Sequence, residues 1–172
     1  METGFAHVLI DAAFIASHPA IEVLDPVYWS VDISGGPEAY EASLAPFSSA
    51  QRLALGVLWY EAEVNNGGHD QFYWNSTGIV WRDALAGFGM LELPAFAAIL
   101  NESAARLGGD PPLDREARQA VLDGLEPRFD DLDDRFFALE RAGQLTDHLA
   151  AWMRAHPDAF AFEGVVQKPI VR

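Results

Sequence analysis

Apolar residues recur at intervals of three and four between positions 53 and 64, which is the spacing of one helical face. They are Leu53, Val57, Tyr60 and Val64. The other faces of the same segment are also apolar, so this helix is expected to lie at the centre of a domain. Similar periods recur from Trp81 to the last quarter of the chain, and no segment alternates with the period of two that predicts a strand.

Capping residues predict where several helices begin and end. Ser48 followed by Gln51 forms a capping box that opens the central helix. The run of Asn and Gly at residues 65–68 predicts its end, since both residue types tolerate helix C-cap geometry. Further along the chain, Asp114 and Thr146 are placed to cap two later helices.

The first 47 residues differ from the rest. Apolar positions from Val8 to Ile15 predict a short helix, whereas the prolines and glycines of residues 19–47 predict loop. Together these patterns predict an all-α fold of about seven or eight helices in a single compact domain, residues 1–172. Its acidic, loop-rich N-terminal part is residues 1–47, and its helical core is residues 48–172.

Charge composition narrows the classes of partner. The chain has 172 residues, with 26 Asp and Glu against 11 Lys and Arg, a formal net charge of −15. Direct nucleic-acid binding is therefore excluded in practice, because contact with phosphates requires a basic surface. A basic protein is the favoured partner. Residues 1–47 carry seven of the acids and no Lys or Arg.

Two absences exclude whole classes of chemistry or location. The chain has no cysteine, which excludes disulfides, thiolate metal sites and cysteine nucleophiles. Its apolar runs are shorter than the roughly 18 residues that a membrane span needs. The acidic N-terminal sequence does not resemble a secretory signal, so a cytoplasmic location is expected, without a membrane.

One polar cluster invites a catalytic interpretation. Glu63, His69 and Asp70 are residue types that could hold a metal, yet no pair among them has the spacing that puts two ligands on one helical face. The favoured interpretation is a structural corner between two helices, with Asn side chains bonding free backbone groups and Asp70 near a helix N-terminus. No catalytic residue, metal or cofactor is expected, and a metal-dependent enzyme using these three residues is an alternative.

A second cluster is an acidic run, Asp130, Asp131, Asp133 and Asp134. On a helix several of these carboxylates would lie one turn apart, about 5–6 Å between Cβ atoms. Carboxylates at that spacing could imitate a row of phosphates. The other interpretation is a solvated helix face, partly neutralised by Arg128 and Arg135.

The segment from Trp59 to Gly78 resembles the signature of the bacterial DNA mimic protein family. The family pattern is close to Glu-Val-Asn-Asn-Gly-Gly, an aromatic, Gln-Phe, an aromatic, then Asn-Ser and Gly. His69 replaces a usual aromatic. The matching residues are Glu63, Val64, Asn65, Asn66, Gly67, Gly68, Gln71, Phe72, Asn75, Ser76 and Gly78.

The resemblance implies an all-helical fold, no catalytic residues and a surface that occupies a DNA-binding protein such as a repressor, nuclease or nucleoid protein. The motif holds few charges, so Glu63, Asn65, Asn66, Gly67, Gly68, Gln71, Phe72 and Asn75 are expected to determine the fold. The acids expected to contact the partner are Glu22, Asp25, Asp32, Glu38, Glu41, Asp130, Asp131, Asp133 and Asp134.

Three alternatives to the regulatory mimic stay open. One is an immunity or antitoxin-type protein that neutralises a basic toxin through the same acids. Another is the metal-dependent enzyme, and the third is a scaffold protein without a mimic role. A homodimer is an open alternative for the oligomeric state.

Overall fold

A computed structural model describes residues 3–169 of the protein. This part of the chain is mostly helical, with ten α-helices and one small sheet. The helices are α1 (Ala12–Ser17), α2 (Ala20–Val23), α3 (Asp25–Ser30), α4 (Pro37–Leu44), α5 (Ser49–Trp74), α6 (Trp81–Met90), α7 (Pro94–Arg106), α8 (Arg115–Asp123), α9 (Asp130–Ala142) and α10 (Leu145–Ala155). None of the helices in this part is long and apolar enough to cross a membrane.

Helix α5 forms the centre of the fold, as its apolar faces predicted. The capping box at its start is confirmed: Ser48 Oγ accepts from the Gln51 N–H at 3.1 Å, and Gln51 Oε1 accepts from the Ser48 N–H at 2.9 Å. Helices α3, α6, α8, α9 and α10 all pack against α5. Its buried residues, including Leu55, Tyr60 and Phe72, therefore join most of the chain into one core.

The predicted end of this helix is a kink. Gly67 has φ −158° and ψ 26°, and Gly68 has φ 72° and ψ −175°, so the helical path breaks there and restarts at His69. The second arm runs to Trp74 and leads into a 3₁₀ turn at Ser76–Val80. The break inferred from the Asn-Asn-Gly-Gly run is confirmed as this change of direction within α5.

The all-helical prediction is wrong at both ends of the described chain. Strand β1 (Thr3–Ile10) pairs antiparallel with β2 (Phe162–Pro169), with Ile10 opposite Phe162. Val8 and Ile10 therefore lie in a strand, where a helix was predicted. Phe5 and Leu9 are also apolar but lie on the opposite face, which hides the alternation that marks a strand.

The loop prediction for residues 19–47 is also wrong, since the segment contains α2, α3 and α4. Three of the four prolines that suggested loop stand at helix starts: Pro26 and Pro37 occupy the first turns of α3 and α4, and Pro19 is the N-cap residue of α2. Proline is tolerated there because a first-turn N–H has no intrahelical partner.

Of the two caps predicted for later helices, one is confirmed and the other is wrong. Asp114 caps α8, where its Oδ1 accepts from the Ala117 N–H at 2.9 Å. Thr146 does not cap α10, whose N-cap residue is Gln144. Instead Glu140, from the preceding helix, accepts from the Leu145 N–H at 2.9 Å. A carboxylate from the previous helix thus supplies a cap that the local sequence does not contain.

Candidate protein-binding surface

Three of the four acids of the run lie in the first turn of α9. Asp130, Asp131 and Asp133 lie where the helix exposes unpaired N–H groups and the positive end of its dipole. Acids at this position stabilise a helix, which offsets the repulsion between neighbouring carboxylates. Local stability thus explains part of the run, independently of any partner.

The four carboxylates of the run lie in different environments. Asp131 forms a two-pronged ion pair with Arg106 of α7, at 2.8 and 2.6 Å, and this guanidinium lowers the pKa of Asp131 to about 2. Asp133 turns inward toward α5. Asp130 and Asp134 are exposed and take part in none of the ion pairs found within residues 3–169. Only these two members of the run present free carboxylates to solvent.

Asp133 binds the kink of α5. Its Oδ1 accepts from the His69 backbone N–H at 2.9 Å and from His69 Nδ1 at 2.5 Å. The carboxylate therefore caps the second arm of α5, whose first N–H groups lose their helical acceptors at the break. Asp133 was expected to contact a partner, but its carboxylate instead joins α9 to α5.

The imidazole of His69 continues this chain of hydrogen bonds inward. Its Nε2 lies 2.7 Å from Tyr60 Oη, and both side chains are fully buried. Because Nδ1 donates to Asp133, a neutral ring accepts the Tyr60 hydroxyl at Nε2. Burial raises the pKa of Tyr60 well above its ordinary value, which keeps that hydroxyl a donor.

Further acids without a described ion pair lie on neighbouring elements and were not among the residues expected to contact the partner. Glu116 and Asp123 are exposed on α8, seven residues apart and hence on one face, and Glu126 is exposed in the connection to α9. Helices α8 and α9 both pack on α5. We call the following set the α8–α9 acids: Glu116, Asp123, Glu126, Asp130 and Asp134. The i,i+7 spacing on α8 was the available sequence signal.

The N-terminal acids are less uniform than the absence of Lys and Arg in residues 1–47 suggested. Arg52 comes from α5 to bind Glu41 at 2.6 and 2.7 Å, which lowers the pKa of Glu41. Lys168 comes from β2 to bind Asp25 at 2.5 Å. Distant bases thus neutralise two of the five acids.

The other three N-terminal acids are exposed. Glu22 lies on α2 and Glu38 on α4, and neither takes part in a described ion pair. Asp32 accepts from the N–H groups of Ser34 and Gly35 at 3.1 and 2.8 Å, which holds the turn before α4. These carboxylates remain open to solvent on at least one side.

The contacts of the two predicted sets lie far apart along α5. Glu41 binds Arg52 in the first turn of the helix, and Asp133 binds His69 beyond the kink. Gly67 is 15 positions after Arg52, which corresponds to roughly 22 Å along the helix. This separation, which divides the candidate acids between two regions, could not be inferred from the residues alone.

The motif residues form a hydrogen-bonded centre around Glu63. Its carboxylate accepts from Gln71 Nε2 at 2.7 Å, from Asn75 Nδ2 at 2.9 Å and from Thr77 Oγ1 at 2.6 Å. These bonds connect the two arms of α5 and the following 3₁₀ turn across the kink. Phe72 is buried in the core, while the side chains of Asn65 and Asn66 face solvent.

The three residues of the metal alternative do not converge. Glu63 holds the motif centre, His69 lies between Tyr60 and Asp133, and Asp70 pairs with Arg128. Within residues 3–169, no group of three or more His, Asp or Glu side chains is arranged to hold a metal ion.

An unpredicted pair of carboxyl groups lines an open pocket of about 550 Å³ beside the kink. Glu61 of α5 is only 8% exposed and lies against Glu140 of α9, with Asn65, Arg141 and Thr146 around them. Burial raises the pKa of Glu61 to about 7, and the charges of Glu140 and Asp147 add to this shift. One carboxyl of the pair therefore carries a proton up to neutral pH.

Glu61 should make the protein less stable as pH rises from 4.5 to about 7. The unfolded chain loses this proton near the ordinary value of 4.5, whereas the folded protein keeps it until about pH 7, so the stabilisation by the proton disappears across that window. Glu61→Gln should remove the effect and raise the free energy of unfolding at pH 8 by about 2–3 kcal/mol.

Urea unfolding at pH 5 and pH 8 measures this difference, with exposed Glu22→Gln as the control. The control should follow the wild type at both pH values. The lowered pKa values of Glu41 and Asp131 act in the opposite direction and below this window. Equal pH dependence in wild type and Glu61→Gln would contradict the assignment.

Compared with known protein families, the chain matches the model of the DMP19-like protein family over residues 45–156. The match begins just before α5 and ends with α10, so it includes the kink, the Glu63 centre and the α8–α9 acids, and it leaves out both strands. No curated protein and no solved structure matches the chain.

Proposed function

Because the chain belongs to the DMP19-like protein family, a family of DNA mimic proteins and not of enzymes, we propose that it occupies the DNA-binding surface of a basic protein. The partner would be a repressor, a nuclease or a nucleoid protein. Carboxylates of this chain would stand in for the phosphates that such a surface binds.

The observation that carries the proposal is the set of exposed carboxylates left after internal pairing. Six Lys and Arg side chains of the described residues already bind carboxylates: Arg52, Arg82, Arg106, Arg128, Arg135 and Lys168. Most of the acids that make up the formal net charge of −15 therefore stay unpaired at the surface. Such a field attracts and orients a basic partner.

The α8–α9 acids are the best candidates for the phosphate-like contacts. Asp130 and Asp134 are one turn apart, about 6 Å along the axis, while a DNA strand carries a phosphate charge every 3.4 Å or so of its axis. Among the acids expected from the sequence, Glu22, Asp32 and Glu38 form a second exposed set on the N-terminal elements. The other acids expected from the sequence would act indirectly, by holding neighbouring elements in place; they are Asp25, Glu41, Asp131 and Asp133.

The experiment that tests the proposal captures partners from host lysate on the purified protein, at low and high salt. A DNA-binding protein that is retained at low salt, released at high salt and displaced by duplex DNA supports the mimic function, because salt screens contacts between exposed charges. A basic partner that ignores duplex DNA would instead favour the immunity or antitoxin alternative. Recovery of no basic protein would contradict both.

The double variant Asp130→Lys with Asp134→Lys should lower the affinity for the captured partner at least tenfold. Each reversal removes one attraction and adds one repulsion at the contact. The matched control is Glu92→Lys with Asp158→Lys, which changes the net charge equally at exposed positions outside the α8–α9 acids. Equal losses in both variants would mean that only total charge matters, which would contradict a local contact surface.

Circular dichroism checks that both double variants keep the helical content of the wild type. Asp130 lies in the first turn of α9, so its reversal should also cost some helix stability, about 0.5–1 kcal/mol. Affinity is therefore compared at a temperature well below either melting transition.

A further inference from the structure

The outer face of the β1–β2 ribbon carries several exposed large apolar side chains. Phe5 is 77% exposed, Val165 64% and Leu9 54%, and these are the three most exposed large apolar side chains of residues 3–169. Val165 lies opposite His7, so it is diagonal to both Phe5 and Leu9 on the same face. An exposed patch of this kind marks an interaction surface.

The ribbon also has an open edge along β1. Strand β2 packs against α3, where Lys168 binds Asp25, whereas the sheet has no strand beyond β1 among the residues described. The eight residues of β1 include no proline, lysine or acid, which are the residues that usually protect an edge. Its outward N–H and C=O groups can therefore pair with another strand.

We propose that this edge pairs with the β1 strand of a second copy of the chain, so that two ribbons form a four-stranded antiparallel sheet. A basic partner drawn by carboxylates has little to bind here, because the outer face carries one acid, Glu163, which lies 3.8 Å from His7. A second copy supplies an apolar face and an unpaired strand of the same length. The ribbon lies outside the family match, so the proposal does not rest on the mimic function.

Symmetry selects the register of this pairing. Two antiparallel copies of β1 are related by a two-fold axis normal to the sheet, and this rotation keeps each side chain on its own face of the sheet. Residues that lie opposite each other must share a face, so the axis has to pass beside one residue, which then lies opposite its own copy. Centring on His7 places Phe5 of one copy opposite Leu9 of the other, twice. Centring one residue earlier or later separates these two apolar side chains. The register centred on His7 therefore buries the most apolar area.

Sedimentation velocity from micromolar to sub-millimolar concentration tests the association. The wild type should shift from monomer to dimer, and high salt should strengthen the dimer by screening repulsion between two copies of charge −15. Phe5→Lys with Leu9→Lys should leave monomer at every concentration. Ile21→Lys, at an apolar position on α2 that is 51% exposed, should dimerise like the wild type. The opposite salt dependence separates this association from capture of a basic partner.

A cross-link tests the register, since the natural chain has no cysteine. His7→Cys should give a disulfide-linked dimer under mild oxidation, because residue 7 faces its own copy across the axis. Phe5→Cys should not, since its two copies would lie about 14 Å apart along the strands. The proposal would be overturned if the wild type stayed monomeric at both low and high salt. It would also be overturned if Ile21→Lys weakened the dimer as much as Phe5→Lys with Leu9→Lys does. Cross-linking of Phe5→Cys but not His7→Cys would overturn the register.

Discussion

Replacing Gly68 with alanine is expected to lower the free energy of unfolding by about 3 kcal/mol or more. Gly68 has φ 72° and ψ −175°, a conformation that residues with a Cβ adopt only at a cost. An added Cβ would also overlap Asp133 Oδ2 and lie 2.9 Å from Asp133 Cγ. The substitution thus strains the kink and displaces the carboxylate that caps the second arm of α5.

Thermal and urea unfolding followed by circular dichroism measure this loss. The control is Gly89→Ala, since Gly89 lies within α6 with nothing within 4 Å of an added Cβ. Alanine there should be neutral or stabilise the helix by up to about 1 kcal/mol. A Gly68→Ala variant as stable as the wild type would contradict the structural role assigned to the kink.

A second variant separates the two sources of the loss and guards against a protein that does not fold. Asp133→Ala removes the overlap together with the cap on His69. In that background, Gly68→Ala should cost only the backbone term, about 1–3 kcal/mol. If Gly68→Ala lowered the free energy of unfolding as much in the Asp133→Ala background as in the wild type, the whole loss would come from backbone conformation.

The kink could be predicted from sequence because its determinants are local. Asn and Gly at residues 65–68 report directly on backbone conformation, just as Ser48 with Gln51 and Asp114 with Ala117 interact within three residues. The ribbon could not be predicted in the same way. Its partners, Thr3 and Pro169 among them, lie at opposite ends of the described chain, and apolar residues on both faces of β1 hide its period.

The candidate surface was predictable only in part, for a similar reason. Asp131 and Asp134 belong to the same acidic run, yet Arg106 forms an ion pair with the first, and the second has none among the described residues. Lys168 and Arg52 likewise neutralise acids that belong to a segment without its own bases. Net charge and the family motif follow from the residues alone, but the choice of which carboxylates stay free depends on tertiary ion pairs.

Arg118 occupies a position in α8 that helical periodicity assigns to an apolar residue, and this departure from the pattern is a signal in the sequence. It lies four residues before Leu122 on the buried face of α8, a position where an apolar residue is expected. The structure buries it completely, and every acceptor of its guanidinium is a backbone carbonyl. An arginine in an apolar stripe therefore indicates a polar contact that the sequence cannot specify.

The hydrogen bonds of Arg118 hold the end of α5. Nε donates to the Tyr73 carbonyl at 2.6 Å and Nη2 to that of Asn75 at 2.7 Å, while Nη1 donates to Pro112 and Leu113 at 2.8 and 3.1 Å. A cation suits the negative end of the α5 dipole. Burial lowers the pKa of Arg118 to about 10, so the charge persists at neutral pH.

Arg118→Met is expected to lower the free energy of unfolding by about 4 kcal/mol, because it leaves several buried carbonyls without donors. Arg118→Lys keeps the charge but has three donors on one atom, so it should recover only part of the loss. The control is Arg115→Met, which removes one exposed bond to the Trp74 carbonyl and should cost less than about 1 kcal/mol. Urea unfolding of the three variants decides the matter: if Arg118→Met and Arg115→Met were equally stable, the buried guanidinium would not be what joins α8 to the end of the central helix.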